Sequence, residues 1–374
     1  MLLLLTSGCL GSGEGEQPGR EDDKRPASGP TLTATVAREL DTRLREKAKE
    51  TLVPGASAAV VFPDGRVWEG AAGLAVLKPR RLMTSQTSFP FADVTKMATA
   101  ALAMRLVEQG RLALDDPIER WYRAWRGDRE ATVRDLLGHT AGVANPSQEF
   151  NDSPNPATPR QWIAATPKPG PRTTNAEYSN TGFIIAGLVL ARAAGRPVAT
   201  AMRQELFSHP GGDGLAFQPS EHPHPPLAHG YTHPDGTLDQ VDTSDSSGLL
   251  PFRGGATGFT AAALAGDVPS LARWSHELLT GKILEPDSLR EMTQFQFGAL
   301  KGYGLGLARE LARTPEGNHE LWGHPGQIGG TITDLWHLPN KNLTIAIAWN
   351  DDRLNGSAAE FLPVLLRAAL GSES

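Results

Sequence analysis

Strand-forming residues gather at the two ends of this chain and helix-forming ones between them, and no other feature constrains the fold as much. Near the N-terminus, "GASAAVVFPDGRVWEGAAGLAVL" holds two apolar, β-prone runs around Pro63-Asp64-Gly65, a turn sequence that predicts a hairpin. Near the C-terminus, "YGLGLARE", "IGGTITDLWHLP" and "LTIAIAWN" are β-branched or alternating runs, and the helical "SAAEFLPVLLRAAL" closes the chain. Residues 111–250 read as helix and loop, with proline-rich breaks at 153–171 and 219–226. Both ends are therefore expected to share one sheet, with a helical insertion at roughly residues 98–250. The expected class is α/β: an antiparallel sheet flanked by helices, plus an all-helical insertion. "TLTATVARELDTRLREKAKETL" places Val36, Leu40 and Leu44 at helical spacing, an amphipathic helix ahead of the hairpin. No fixed-period repeat is visible.

A chain of 374 residues with 39% hydrophobic content suffices for a sizeable core, and residues 31–374 read as one folded unit. The net charge is −6, with Lys and Arg scattered among acids, so no basic stripe exists to neutralise phosphates and a nucleic-acid partner is not expected. The single cysteine, Cys9, excludes an intramolecular disulfide. Residues 1–9, "MLLLLTSGC", are a leucine run ending in small residues before that cysteine, which resembles a bacterial lipoprotein signal. The run is short, lacks a basic start and carries Thr6 where an aliphatic is usual, so a plain leader is the alternative. Residues 10–30 are polar and charged and read as a disordered tether. Together they predict a cell-surface lipoprotein outside the cytoplasm, touching the membrane through its lipid anchor only.

"FPFADVTKMATAALAMRLVEQG" carries the chemistry. From Val94 to Gly110 its apolar residues recur at helical spacing, and Gly110 is a natural stop. Asp93-Val94-Thr95-Lys96 opens that helix. "GRLALDDPIERW", "VRDLLGHTAGV", "YSN" at Tyr178–Asn180, "LAHGY" at 227–231, "GLGLA" at 304–308 and "GHPGQIGG" at Gly323–Gly330 follow in order. This series resembles the serine beta-lactamase and penicillin-binding family, in its branch of class C beta-lactamases, DD-peptidases and esterases, over roughly Thr31 to Leu370. The resemblance implies a hydrolase acting on a small molecule or peptide, without cofactor or metal, whose site lies between the sheet and the helical part. It assigns catalytic work to Asp93, Lys96 and Tyr178, and substrate binding to Asn180, His324, Gly326 and Gln327. Lys96 lies one helical turn beyond position 93, on the same face. Pro325 stands where a Thr or Ser hydroxyl is common. Asp93 stands where the family places its serine nucleophile.

An aspartate there changes the chemistry. The helix N-terminus and Lys96 both favour its charge, so ionisation at neutral pH is expected. An ion-paired carboxylate attacks an amide poorly, and its charge opposes a developing oxyanion. Three readings stay open: Asp93 merely caps the helix in a ligand-binding pseudoenzyme; Asp93, Lys96 and Tyr178 run altered chemistry, with the carboxylate as base or as nucleophile at an sp3 carbon; or the serine was replaced deliberately or weak hydrolysis is retained. Thr95 should point away from Lys96 and is no substitute nucleophile.

Other polar groups read as structural. His222, His224, His229 and His233 lie in a proline-stiffened loop with no cysteine or paired carboxylates to complete a metal site. His139 should close a loop; "GGATGF" at 254–259 lacks the context of a phosphate loop and reads as a substrate-side or structural turn; Arg253 reads as a surface salt-bridge residue, with receipt of a substrate carboxylate as the alternative.

Overall fold

The structure, a computed structural model, describes residues 29–146, 158–233, 241–242, 255–296, 300, 302–314, 317–353 and 361–371. The leader, Cys9, nearly all of the tether and Arg253 lie outside the described residues. Seven strands form the main sheet: β1 (Gly55–Val61), β2 (Val67–Val76), β3 (Arg81–Leu82), β9 (Ala308–Thr314), β10 (Gly317–Ile328), β11 (Thr331–Leu338) and β12 (Leu343–Trp349). Their order is β3-β2-β1-β12-β11-β10-β9. The hairpin β1–β2 turns at Gly65, which takes φ +82°, and Asp64 accepts the Arg66 N–H at 3.0 Å to hold the turn. The two ends of the chain join where β1 pairs antiparallel with β12, Ala56 opposite Trp349 through Val61 opposite Thr344.

β1 and β12 are buried along their whole length because both faces of the sheet are covered. That is why they read as unbroken apolar runs rather than as alternating ones. On the outer face, Ala58, Val60, Ile345, Ile347 and Trp349 pack with Leu40 and Leu44 of helix α1 (Ala34–Glu50) and with Leu365 and Leu366 of the helix Leu362–Leu370. Thr33 caps α1 by accepting the Val36 N–H at 3.1 Å. On the inner face, Ala59, Val61, Leu335, Ala346 and Ala348 join the larger core with the helix Val268–Leu279.

Helix α2 (Thr95–Glu108) runs through the middle of that larger core, and its residues Thr95–Met104 are all buried. Alanines at 98, 100, 101 and 103 let other helices approach closely on every side, among them Asn180–Ala194. A small sheet of β4 (Ser88–Pro90), β8 (Leu264–Asp267) and β5 (Leu215–Phe217) leads into α2, and a two-stranded ribbon pairs β6 (Tyr231–Thr232) with β7 (Val241–Asp242). Among the described residues no single helix is long and apolar enough to cross a membrane, and no group of three or more His, Cys, Asp or Glu is placed to hold a metal. Of the four loop histidines, His229 pairs with Asp242 at 2.8 Å and His233 with Asp351 at 3.0 Å.

Candidate active site

The chain enters α2 through a tight 3-10 turn, Ala92–Val94, and Ala92 takes φ +48°, a left-handed conformation that a residue with a Cβ adopts at a cost. The Thr95 hydroxyl locks this turn by donating to the Ala92 carbonyl at 2.6 Å and accepting the Leu264 N–H at 2.9 Å. Thr95 is thus spent on structure, as expected. The helix-capping reading of Asp93 does not hold: α2 starts after Val94 with no side-chain cap, and the 3-10 turn has none either. The Asp93 carboxylate meets Lys96 and Tyr178 instead of the free N–H groups of the helix end.

That carboxylate collects two hydrogen bonds on one oxygen. Lys96 Nζ donates to Asp93 Oδ1 at 2.6 Å, and the Tyr178 hydroxyl donates to the same oxygen at 2.6 Å. Lys96 also donates to Asn180 Oδ1 at 2.7 Å and to the Ala261 carbonyl at 3.1 Å. An ammonium has three N–H donors, so Lys96 is saturated. Its side chain is 0% exposed, and its charge also lies 4.8 Å from the centre of the Tyr178 ring. Asp93 keeps 23% of its side chain open to solvent. Burial alone would raise the Asp93 pKa, but the Lys96 charge and the two hydrogen bonds outweigh it and hold the carboxyl below its ordinary value. Burial lowers the Lys96 pKa, partly offset by Asp93, and burial with the Asp93 charge lifts Tyr178 well above the usual phenol.

Helix Asn180–Ala194 presents Asn180 at its first position. Ser179 caps it through the Gly182 N–H at 2.9 Å, and Asn145 Oδ1 accepts the N–H groups of Asn180 and Thr181 at 2.9 and 3.2 Å. His139 fixes the preceding loop: its Nδ1 accepts the Ser179 N–H at 3.1 Å, its carbonyl accepts the Glu177 N–H, and its ring lies 4.5 Å from that of Tyr178. This is the loop-closing role expected from the sequence.

Strand β10 forms the opposite wall. A Cβ on Gly326 would come within 2.4 Å of the Phe91 carbonyl and 3.1 Å of the Asp93 N–H nitrogen, so only glycine lets the strand pass against the Asp93 turn. His324 is 3% exposed and lies beneath. Its Nδ1 is 2.5 Å from the Pro325 carbonyl and its Nε2 3.1 Å from the Tyr303 hydroxyl. A carbonyl only accepts, so Nδ1 carries the proton and Nε2 accepts from Tyr303. Burial and then the Lys96 charge bring the His324 pKa down to about 4, so the ring is neutral at pH 7. Gln327 and Pro325 are exposed on β10, and Gln327 does not join the hydrogen-bonded cluster.

Six of the seven candidate residues therefore converge: Asp93, Lys96, Tyr178 and Asn180 in direct contact, His324 and Gly326 on the facing strand. The sequence reading missed Tyr303, Asn145 and the Ala261 carbonyl. Tyr303 was discoverable, since it directly precedes "GLGLA"; Asn145 sits in an irregular loop and a backbone carbonyl leaves no mark on a sequence.

Relatives of this chain bear on the same site. It is 26% identical over 335 residues to a D-aminopeptidase of Brucella anthropi, covering 86% of this chain but 60% of that protein, so it spans well under two thirds of that relative's length. It is 26% identical over 338 residues to penicillin-binding protein 4 of Amycolatopsis lactamdurans, covering 85% of each. Among solved structures, D-amino acid amidase from Ochrobactrum anthropi SV3, complexed with L-phenylalanine amide, superposes with a TM-score of 0.78 over 91% of this chain and 99% of that one at 24% identity, a likeness of fold. The profile of the Beta-lactamase family matches residues 40–369, so by sequence and fold this chain belongs to the beta-lactamase family.

Proposed function

We propose that this protein binds a small amide or peptide ligand in the family's cleft without forming an acyl-enzyme. One observation carries the reading: Lys96 and Tyr178, the two groups that would handle a nucleophile's proton, both terminate on Asp93 Oδ1. A base whose three donors are spent in a buried ion pair accepts no proton. The carboxylate itself, held below its ordinary pKa, is a weak nucleophile toward an amide and repels charge developing on the substrate oxygen. The names of the D-aminopeptidase and amidase relatives support a small amide or peptide as the ligand. The leader reading adds a placement at the cell surface, testable by radiolabelled palmitate incorporation that Cys9→Ser abolishes.

The competing reading, with Asp93 as base or as nucleophile at an sp3 carbon, draws on the exposed quarter of its side chain. A paired assay of the natural protein and Asp93→Ser separates the two, using a chromogenic cephalosporin, a short-chain aryl ester and D-phenylalanine amide. Turnover confined to the Ser variant is expected. Turnover by the natural protein that disappears in Asp93→Asn sinks the non-acylating reading.

A further inference from the structure

The cleft offers its ligand an unusual set of polar groups. Both hydrogen bonds to Asp93 end on Oδ1, which leaves Oδ2 with no partner among the described residues on a side chain that is 23% exposed. The two donors that touch Asp93 are already used, and so is the imidazole of the facing strand. The Lys96 ammonium is saturated by Asp93, Asn180 and Ala261, and it is fully buried. The Tyr178 proton is committed to Asp93, both His324 nitrogens are engaged by Tyr303 and Pro325, and Pro325 brings no hydroxyl. Among the described residues of this cluster, then, one carboxylate oxygen lacks a partner on a partly exposed side chain, and the cluster's own cation is fully used.

Resting on the binding reading above, we infer that the ligand meets Asp93 with an amine, in its ammonium form, and that Asp93 Oδ2 is the acceptor. A ligand whose charged end is a carboxylate is disfavoured, because it would approach Asp93 with like charge and find the cluster's own cation already used. An ammonium instead makes a charge-assisted hydrogen bond to an oxygen that has no partner among the described residues. No rearrangement of the Lys96–Asp93–Tyr178 cluster is needed, since Oδ1 keeps both of its bonds. The nucleophile position of a hydrolase becomes a charge-selecting contact.

Calorimetric titration with three probes of one shape and different charge tests this. The probes are D-phenylalanine amide (cation), N-acetyl-D-phenylalanine amide (neutral) and N-acetyl-D-phenylalanine (anion). At pH 7 the cation should bind at least about tenfold more tightly than the neutral probe, and the anion more weakly than either. Asp93→Asn and Asp93→Ala, neither of which supplies a hydroxyl nucleophile, should each erase the cation's advantage over the neutral probe. Two variants are used so that misfolding of one, seen as a lost melting transition, leaves the other to decide. The inference is overturned if the anion binds best, if both variants keep the cation's advantage, or if no probe binds at roughly millimolar concentration, the weak end of specific binding. Ammonia release from D-phenylalanine amide by the natural protein would end the non-acylating reading but not this one, because the charge order would then be read from inhibition constants.

Discussion

The Tyr303 hydroxyl donates to His324 Nε2 at 3.1 Å, the one role left to it once the Pro325 carbonyl holds the proton of this buried, neutral histidine on Nδ1. Tyr303 is 5% exposed and His324 3%, so neither has water to fall back on. Burial raises the Tyr303 pKa well above the ordinary phenol, which keeps the hydroxyl protonated and donating. The pair is a rigid floor under β10 where that strand passes Asp93. Tyr303→Phe removes the donor and strands Nε2 without a partner. The expected loss is about 1–3 kcal/mol in urea unfolding, the cost of an unsatisfied buried polar atom. Nitrogen-15 NMR of His324 should show the proton on Nδ1 in both proteins, held there by the Pro325 carbonyl, with the Nε2 resonance shifted in the variant by the loss of its hydrogen bond. An unchanged spectrum and midpoint would mean the contact does no positioning.

Asp93 and Lys96 differ in access to water, and that difference should appear as an asymmetry between their substitutions. Removing Lys96 leaves a carboxylate that is 23% exposed and can be hydrated, whereas neutralising Asp93 leaves a 0%-exposed ammonium without its counter-charge. Breaking a fully buried pair from one side costs about 3–5 kcal/mol, and partial exposure of the survivor reduces that. Asp93→Asn is therefore expected to destabilise more than Lys96→Met, by at least about 1 kcal/mol in urea unfolding at pH 7. Equal losses would show that the ion pair is more hydrated than its geometry implies. Because the Asp93 pKa is lowered in the folded protein, the pair's contribution is present above the unfolded carboxyl value and is lost as pH falls below about 4.

Much of this arrangement was legible before folding because its signals are local. The Pro63-Asp64-Gly65 turn, the α1 stripe of Leu40 and Leu44, and the lysine one turn beyond position 93 each depend on neighbours within a few residues. The direction of the Asp93 side chain was not legible. It is seen only with its partner Tyr178, 85 residues further on, and with the left-handed turn at Ala92 against which Gly326, more than 230 residues on, passes closely. A sequence that places Asp at a helix start invites the capping reading, and only the tertiary contact overrides it. Tyr303 carried a local signal, its place directly before "GLGLA", but its partner His324 lies 21 residues further on, on β10, and only the fold joins them.

Asp334 is a second buried carboxylate, outside the candidate site, and its pH dependence runs opposite to that of Asp93. It sits mid-strand on β11 opposite Pro325 and Ile347, 0% exposed; neither oxygen makes a well-formed hydrogen bond, and the Trp336 indole N–H nearby only partly offsets its burial. Burial pushes its pKa up to about 7. A carboxyl whose folded pKa is raised binds protons more tightly folded than unfolded, so stability falls as pH rises from about 4 to about 7 and levels off above. Asp334→Asn, which keeps the shape and removes the charge, should abolish that fall. At pH 8 the variant is expected to be more stable than the natural protein, by on the order of 2–4 kcal/mol, as read from urea midpoints across pH 4–8. A variant that is less stable at pH 8 would mean the Asp334 charge is compensated.

A histidine pair beneath the sheet should dominate the acid side. His276 Nδ1 and His337 Nδ1 lie 3.1 and 2.9 Å from the same Thr344 hydroxyl, between the helix Val268–Leu279 and strands β11 and β12. The hydroxyl donates to one ring and accepts from the other, so the three groups form a closed neutral set. His337 is 2% exposed; burial, then the nearby charge of a protonated His276, lower its pKa to about 3, and burial lowers His276 as well. A histidine whose folded pKa is depressed stabilises the fold fully above the unfolded value of about 6.5, and that contribution drains away as pH falls toward the folded pKa. His337→Gln cannot take up the proton and retains a polar group that can meet Thr344. Between pH 7 and 4.5 it should lose less stability than the natural protein, by on the order of 2 kcal/mol. The measurement is a double-mutant comparison with Asp334→Asn in the background, which removes the opposing carboxyl titration from the same pH range. If the slope between pH 7 and 4.5 is the same with and without His337, then the ring is protonated in the folded protein already and the closed set around Thr344 is not what the acid limb reports.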